Sequence, residues 1–213
     1  GRIGGSGGGG SGSGSGGAET QTRIDKEIFG ADLFRDPLFV RGVPEYKHRL
    51  PIATKLVTEL GFERGADAFK QAEKYSTSLY GRMNKSLRAG KTPANIKAVD
   101  DYIKHGPKSG ADVVYRGIGK QFATKFSVGK TVSDSAYLST TTNQSTATHF
   151  AKRTGVGAVL RISNVAGRGT ITPKYNPSGG EREVLFPRGA SMKVKKISPI
   201  PKSKMLLIDV ELL

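Results

Sequence analysis

Residues 179–190 read GGEREVLFPRGA. The apolar run Val184, Leu185, Phe186 has the character of a buried strand, and a glycine pair followed by Glu181 and Glu183 stands at its mouth. In an extended segment residues i and i+2 face the same way, with Cα atoms about 6.5–7 Å apart. Two like charges on one face repel unless a cation lies between them. Alone, an E-x-E is an ordinary solvated strand edge, so its meaning depends on its surroundings.

Those surroundings are β-rich from residue 112 onward. Short runs at Val113–Tyr115, Tyr137–Thr140, Ala158–Ile162, Thr170–Thr172, Met192–Ile197 and Leu206–Leu212 read as strands, with one helix from about Ser145 to Arg153 among them. Between residues 23 and 105 the period is helical instead. Phe69, Ala72, Leu79, Met83 and Leu87 recur at threes, fours and a seven on one face of a long helix ending near Gly90. Thr92-Pro93 reads as the start of a second helix, with Ile96, Val99, Tyr102 and Ile103 as its apolar face and Gly106-Pro107 as its stop. Helices first and strands afterwards predict an α+β fold rather than alternating βαβ units.

The chain of 213 residues fits one domain plus a tail. GGSGGGGSGSGSGG, residues 4–17, has no side chains to bury, so residues 1–22 are expected to be a flexible tail and 23–213 one domain. No stretch approaches the roughly 18 consecutive apolar residues of a membrane helix. Without cysteine, neither disulfides nor zinc–thiolate sites can form. The charge balance is 34 Lys and Arg against 18 Asp and Glu, a net +16. Such a field favours an anionic partner, whether nucleic acid, a phosphate-bearing ligand or an acidic protein. The cations are spread along the chain, however, and the densest run, Lys193, Lys195, Lys196, Lys202 and Lys204, has no aromatic residue interleaved, which disfavours a plain nucleic-acid-binding module.

Four stretches carry the chemistry, in this order. VVYRG ends a strand at Arg116, AYLSTTTN carries Ser139, THFAKR ends a helix at Arg153, and EREVLF opens with the two glutamates. Singly, each has a dull explanation: a surface cation, a helix cap, a complement to a helix dipole. Together they resemble the arginine–serine–glutamate class of mono-ADP-ribosyltransferases, especially the enzymatic components of binary actin-modifying toxins of the iota type. The likeness runs from about residue 70 to 213 and includes Tyr75, Tyr80 and Asn84 within EKYSTSLYGRMNKSLR.

The resemblance implies helices packed on a mixed, mainly antiparallel two-sheet β-core. It implies NAD as co-substrate with no metal, and a protein target with an accessible arginine. Arg116 and Arg153 would hold the NAD phosphates, Tyr75, Tyr80 and Asn84 would add contacts, and Phe150 would pack on nicotinamide. Gly117 would let the backbone approach the carboxamide, and Ser139 would orient Glu183. Glu183 would bind the nicotinamide-ribose hydroxyl and offset the charge developing on the ribose. An arginine acceptor has a pKa above about 12. Glu181 would hold it and take its proton, so acceptor and ribosyl cation would fill the space between the two carboxylates. A delivered toxin or effector, or a phage-encoded modifier of host proteins, is the biology this implies. The alternatives are NAD hydrolysis, in which water replaces the acceptor, and ADP-ribosylation of nucleic acid. Departures from the family pattern fall at Ala136, at Thr141 in S-T-T, and at Ser178, where relatives carry a target-facing aromatic for which Tyr175 is the nearest substitute.

Overall fold

The computed structural model describes residues 14–30, 44–175 and 182–213. Helices α1 (Gly14–Glu27), α2 (Pro44–Leu60), α3 (Phe62–Lys74), α4 (Tyr80–Arg88) and α5 (Ile96–His105) form the N-terminal layer. Ile24, Leu56, Phe69 and Tyr102 close its core. Helix α1 begins inside the stretch expected to be a tail through residue 22, because Thr20 and Thr22 return hydroxyl bonds to the Gly16 and Ala18 carbonyls and Ile24 is fully buried.

Helices α3 and α4 are joined by a π-helical turn, Tyr75–Leu79, in place of the expected single regular helix. The gap of seven between Ala72 and Leu79 in the apolar pattern falls on this turn, where Tyr75 supplies the buried side chain. The expected cap at Thr92-Pro93 also shifts. Pro93 instead starts a turn, its carbonyl accepting the Ile96 N–H at 3.2 Å, and α5 begins at Ile96 after Asn95.

The β layer comprises β1 (Val114–Ile118), β2 (Thr131–Ser133), β3 (Leu138–Thr141), β4 (Ala158–Ser163), β5 (Thr170–Ile171), β6 (Glu183–Phe186), β7 (Ser191–Pro199) and β8 (Leu206–Leu212). A short helix α6 (Lys120–Ala123) follows β1, and α7 (Gln144–Arg153) follows β3. Asn143 caps α7 by accepting the Ser145 N–H at 2.9 Å. The strands form one 8-stranded sheet, ordered β2-β7-β8-β4-β1-β3-β6-β5. Among the described residues only β4–β8 is parallel, so the sheet is mixed and mainly antiparallel.

The expected two sheets are therefore one, and the reason is local. β1 pairs with β4 through a full ladder from Val114↔Ile162 to Ile118↔Ala158, but with β3 through Tyr115↔Thr141 alone. That pair makes the sheet continuous while leaving β1 and β3 splayed along the rest of their length. Across the splayed part, Arg116 Nη1 donates to the Ser139 carbonyl at 2.7 Å.

One cluster joins the layers and a second seats α7 on the sheet. Tyr75, Met83, Leu87 and Val99 pack on Tyr137 and Leu185, while α7 seats Ala147 and Ala151 against Val159. Gly117 permits the second contact, because a Cβ there would lie 2.2 Å from the Ala147 carbonyl oxygen.

Candidate active site

The β1–β3 splay, the π turn and α7 enclose a cleft of about 300 Å³. Glu183, the first residue of β6, projects into it, partly buried, and accepts a hydrogen bond on Oε1 from Ser139 Oγ at 3.2 Å. Burial raises the Glu183 pKa above the usual carboxylate value, against the lowering effects of the Ser139 bond and of Lys174 nearby. Tyr80 and Phe150, 45% and 46% exposed, flank the same cleft from α4 and α7. Asn84 and Arg116 complete the group that the sequence singled out.

Two expected site residues stand outside the cleft, and a third, Glu181, cannot be placed. Tyr75 is fully buried, its ring edge-on to Tyr137, and it reaches the site only by accepting the Asn84 Nδ2 bond at 2.8 Å. Burial pushes its phenol up to about 12, so it stays neutral. Arg153 is exposed at the end of α7, three residues past Phe150 on the same helical side but outside the cleft lining. Glu181 lies outside the described residues. Gly117 does line the cleft, and the close approach it allows is that of α7.

Arg116 is the electrostatic centre. Burial lowers its pKa, Asp134 nearby raises it and Arg88 lowers it again. A guanidinium nonetheless keeps its proton at any physiological pH. Its Nε is buried with no hydrogen-bond partner, leaving a donor unspent beside the cleft. A second hollow of about 410 Å³ adjoins the first through Arg116, Gly117 and Phe150, and adds Arg88 and Lys125 to its cations. Arg88 donates from Nε and Nη2 to the two carboxylate oxygens of Asp134 at 3.0 and 2.8 Å.

Arg88, Lys125, Ser76, Thr172 and Lys174 were not singled out from the sequence. One signal was available for two of them. Ser76, Tyr80, Asn84 and Arg88 are spaced by fours, which is one helical face, and all four line these hollows. Lys174 follows β5 and lines the cleft with Glu183, a closeness that only the folded sheet creates.

Residues 58–213 match the family model for the ADP-ribosyltransferase exoenzyme. A comparison with curated protein sequences finds no match. Solved structures share the fold. Vis from Vibrio splendidus, in complex with agmatine, superposes with a TM-score of 0.58 at 20% identity, covering 79% of this chain and 82% of that one. An ADP-ribosyltransferase from Clostridium botulinum gives 0.58 at 17%, covering 79% and 94%. Exoenzyme S from Pseudomonas aeruginosa, bound to carba-NAD and human 14-3-3 protein beta, gives 0.54 at 18%, covering 76% and 86%. With nearly three quarters of its length inside the family match, the chain belongs to the ADP-ribosyltransferase exoenzymes, mono-ADP-ribosyltransferases of the toxin type.

Proposed function

We propose that the protein transfers ADP-ribose from NAD to an arginine of a target protein and releases nicotinamide. The observation that carries the reading is a partly buried carboxyl, Glu183, hydrogen-bonded by Ser139 in a cleft shared with Arg116 and two exposed aromatic rings. The fit to NAD is chemical. Arg116, with an unspent buried donor, and Arg88 and Lys125 in the adjoining hollow suit a pyrophosphate, and Tyr80 and Phe150 offer faces to flat rings.

In the reaction the bond between ribose C1 and the nicotinamide nitrogen breaks, and its electron pair neutralises the cationic ring, so no acid is needed. Glu183, ionised, faces the positive charge left on the ribose and stabilises it electrostatically. An arginine nitrogen supplies the electron pair of the new bond and gives up a proton, for which Glu181 is the acceptor two residues away in sequence. The arginine specificity is supported by this E-x-E, and by the agmatine, a guanidinium compound, bound to Vis. The same reading makes the protein a toxin or effector acting on proteins of another cell.

The test mixes the protein with adenine-labelled NAD and a cell lysate, with and without nuclease, and maps label by mass spectrometry. Label on protein arginines is expected. Label on nucleic acid, or free nicotinamide without labelled macromolecule, would overturn the assignment of the acceptor.

A further inference from the structure

The ladders on either side of Glu183 decide what its carboxylate meets. On one side it stands opposite Thr141, with Ser139 two residues along the same face of β3. Thr141 Oγ1 accepts the Asn143 N–H at 3.0 Å, and the hydroxyl that bonds the Glu183 carboxylate on that flank is that of Ser139. On the other side β5 pairs Thr170 with Leu185 and Ile171 with Val184. The register carried one residue further sets Thr172 across from Glu183, and the Thr172 N–H donates to the Glu183 carbonyl at 3.2 Å. Thr172 is 1% exposed, and its Oγ1 is buried without a hydrogen-bond partner.

A second orphan comes from the helical layer. Ser76, in the π turn, lines the cleft with Glu183, and its Oγ is also buried and unpartnered. Each buried, unpaired hydroxyl carries a desolvation penalty that no bond offsets. Two such groups beside one carboxylate are a standing cost to the fold, of a kind tolerated where function uses it. Both hydroxyls are near enough to favour the charged carboxylate, though neither closes a full bond to it.

We propose that Ser76 and Thr172 are positioning residues for Glu183, completing with Ser139 a cradle of three hydroxyls that closes on the ionised carboxylate. The proposal rests on Glu183 being the group that faces the ribose. It also accounts for the π turn, since one extra residue per turn is what brings Ser76 to the cleft while Tyr75 goes into the core.

Among the described residues, Arg182 adjoins Glu183 in sequence and Tyr115 lines the cleft with it. Lys174 follows β5 and Arg116 projects from β1. Tyr75 of the π turn and Tyr102 of α5 are both raised by burial and stay neutral. The pKa of His48 of α2 is lowered by burial, against an opposing effect of the Thr172 backbone.

The test uses the whole chain with Ser76→Ala, Thr172→Val and the conservative Thr172→Ser. The Glu183 carboxyl is titrated by carbon-13 NMR, and nicotinamide release from NAD is followed against pH. The alanine and valine variants should each move the carboxyl titration and the acid limb of the rate up by about one unit. That corresponds to about a tenfold loss of kcat on the acid side. KM for NAD should hold within about twofold, and Thr172→Ser should restore the profile. An unmoved titration in both folded variants overturns the cradle. Should Thr172→Val fail to fold, Ser76→Ala decides alone. A wild-type protein that releases no nicotinamide would refute the functional reading while the NMR titration still judges the cradle.

Discussion

Glu183 serves two opposed demands, and the opposition can be measured. Burial raises its folded pKa above the unfolded value. Between those two values the native state binds more protons than the unfolded chain, so stability falls as pH rises through that window and stays reduced above it. Glu183→Gln removes the penalty. Its thermal midpoint should exceed the wild type's at neutral pH and converge with it in acid, while nicotinamide release drops about 10²–10³-fold. Calorimetric melts across pH, run beside the rate assay, check both halves. A destabilised glutamine variant would mean that the carboxylate holds the fold together. Arg116→Lys asks a related question, because lysine keeps the charge but not the planar fork that reaches the Ser139 carbonyl. Its NAD affinity by titration calorimetry should fall while its circular dichroism is retained.

At the scale of elements, the seating of α7 on β1 governs the cleft. Gly117→Ala places a Cβ 2.2 Å from the Ala147 carbonyl oxygen and 2.7 Å from the Ala151 nitrogen, backbone atoms that cannot turn aside. Overpacking of this kind costs about 1–3 kcal/mol. A melting point lowered by several degrees, with NAD binding weakened as Phe150 shifts, is expected; an unchanged midpoint would show that α7 slides freely.

Much of this level was legible in the chain. The order of helices before strands, the strand runs and the α7 helix followed from periodicity, because each buries one apolar face. What was hidden depends on pairing across long separations. Thr131–Ser133 has one buried side chain, Val132, and becomes β2 only by laddering on β7. The union of the strands into one sheet hangs on Tyr115↔Thr141, which no local pattern announces. At the site, Arg116, Ser139, Glu183, Tyr80, Asn84 and Phe150 were recognisable and do converge. Thr172 and Lys174 were not, since they face Glu183 only once β5 lies beside β6.

For the molecule as a whole, polar ties bind the helical layer to the sheet at separate points. Arg88 of α4 clasps Asp134, Arg188 reaches Asp100 of α5 at 2.7 Å, and Tyr102 Oη donates to the Ile171 carbonyl at 2.6 Å. Burial works against a charged Asp134. The Arg88 fork, the Ala136 N–H and Arg116 more than offset it, and its pKa is lowered. A depressed carboxyl contributes stability above its unfolded pKa and loses it as pH falls through the folded one. Arg88→Ala should therefore cost on the order of 1–3 kcal/mol at neutral pH, with the difference from wild type shrinking in acid, as urea melts at several pH values would read. A constant difference at all pH values would assign the loss to packing. Net charge acts at this scale too. With +16 spread over the chain, self-repulsion is screened by salt, and the midpoint should rise between low and physiological ionic strength.

The splay between β1 and β3 gives the molecule a natural line of cleavage. Among the described residues a single ladder pair and one arginine bridge span it, and the cleft opens along it. Whatever seats there touches both banks at once and acts as mortar in a joint that the backbone leaves nearly dry. Amides of Ser139 to Thr141 and of Tyr115 to Gly117 should then exchange with solvent as one block, slowing together when the cleft is filled. A molecule wedged into the joint without bridging it would instead prise the sheet apart at the cleft itself.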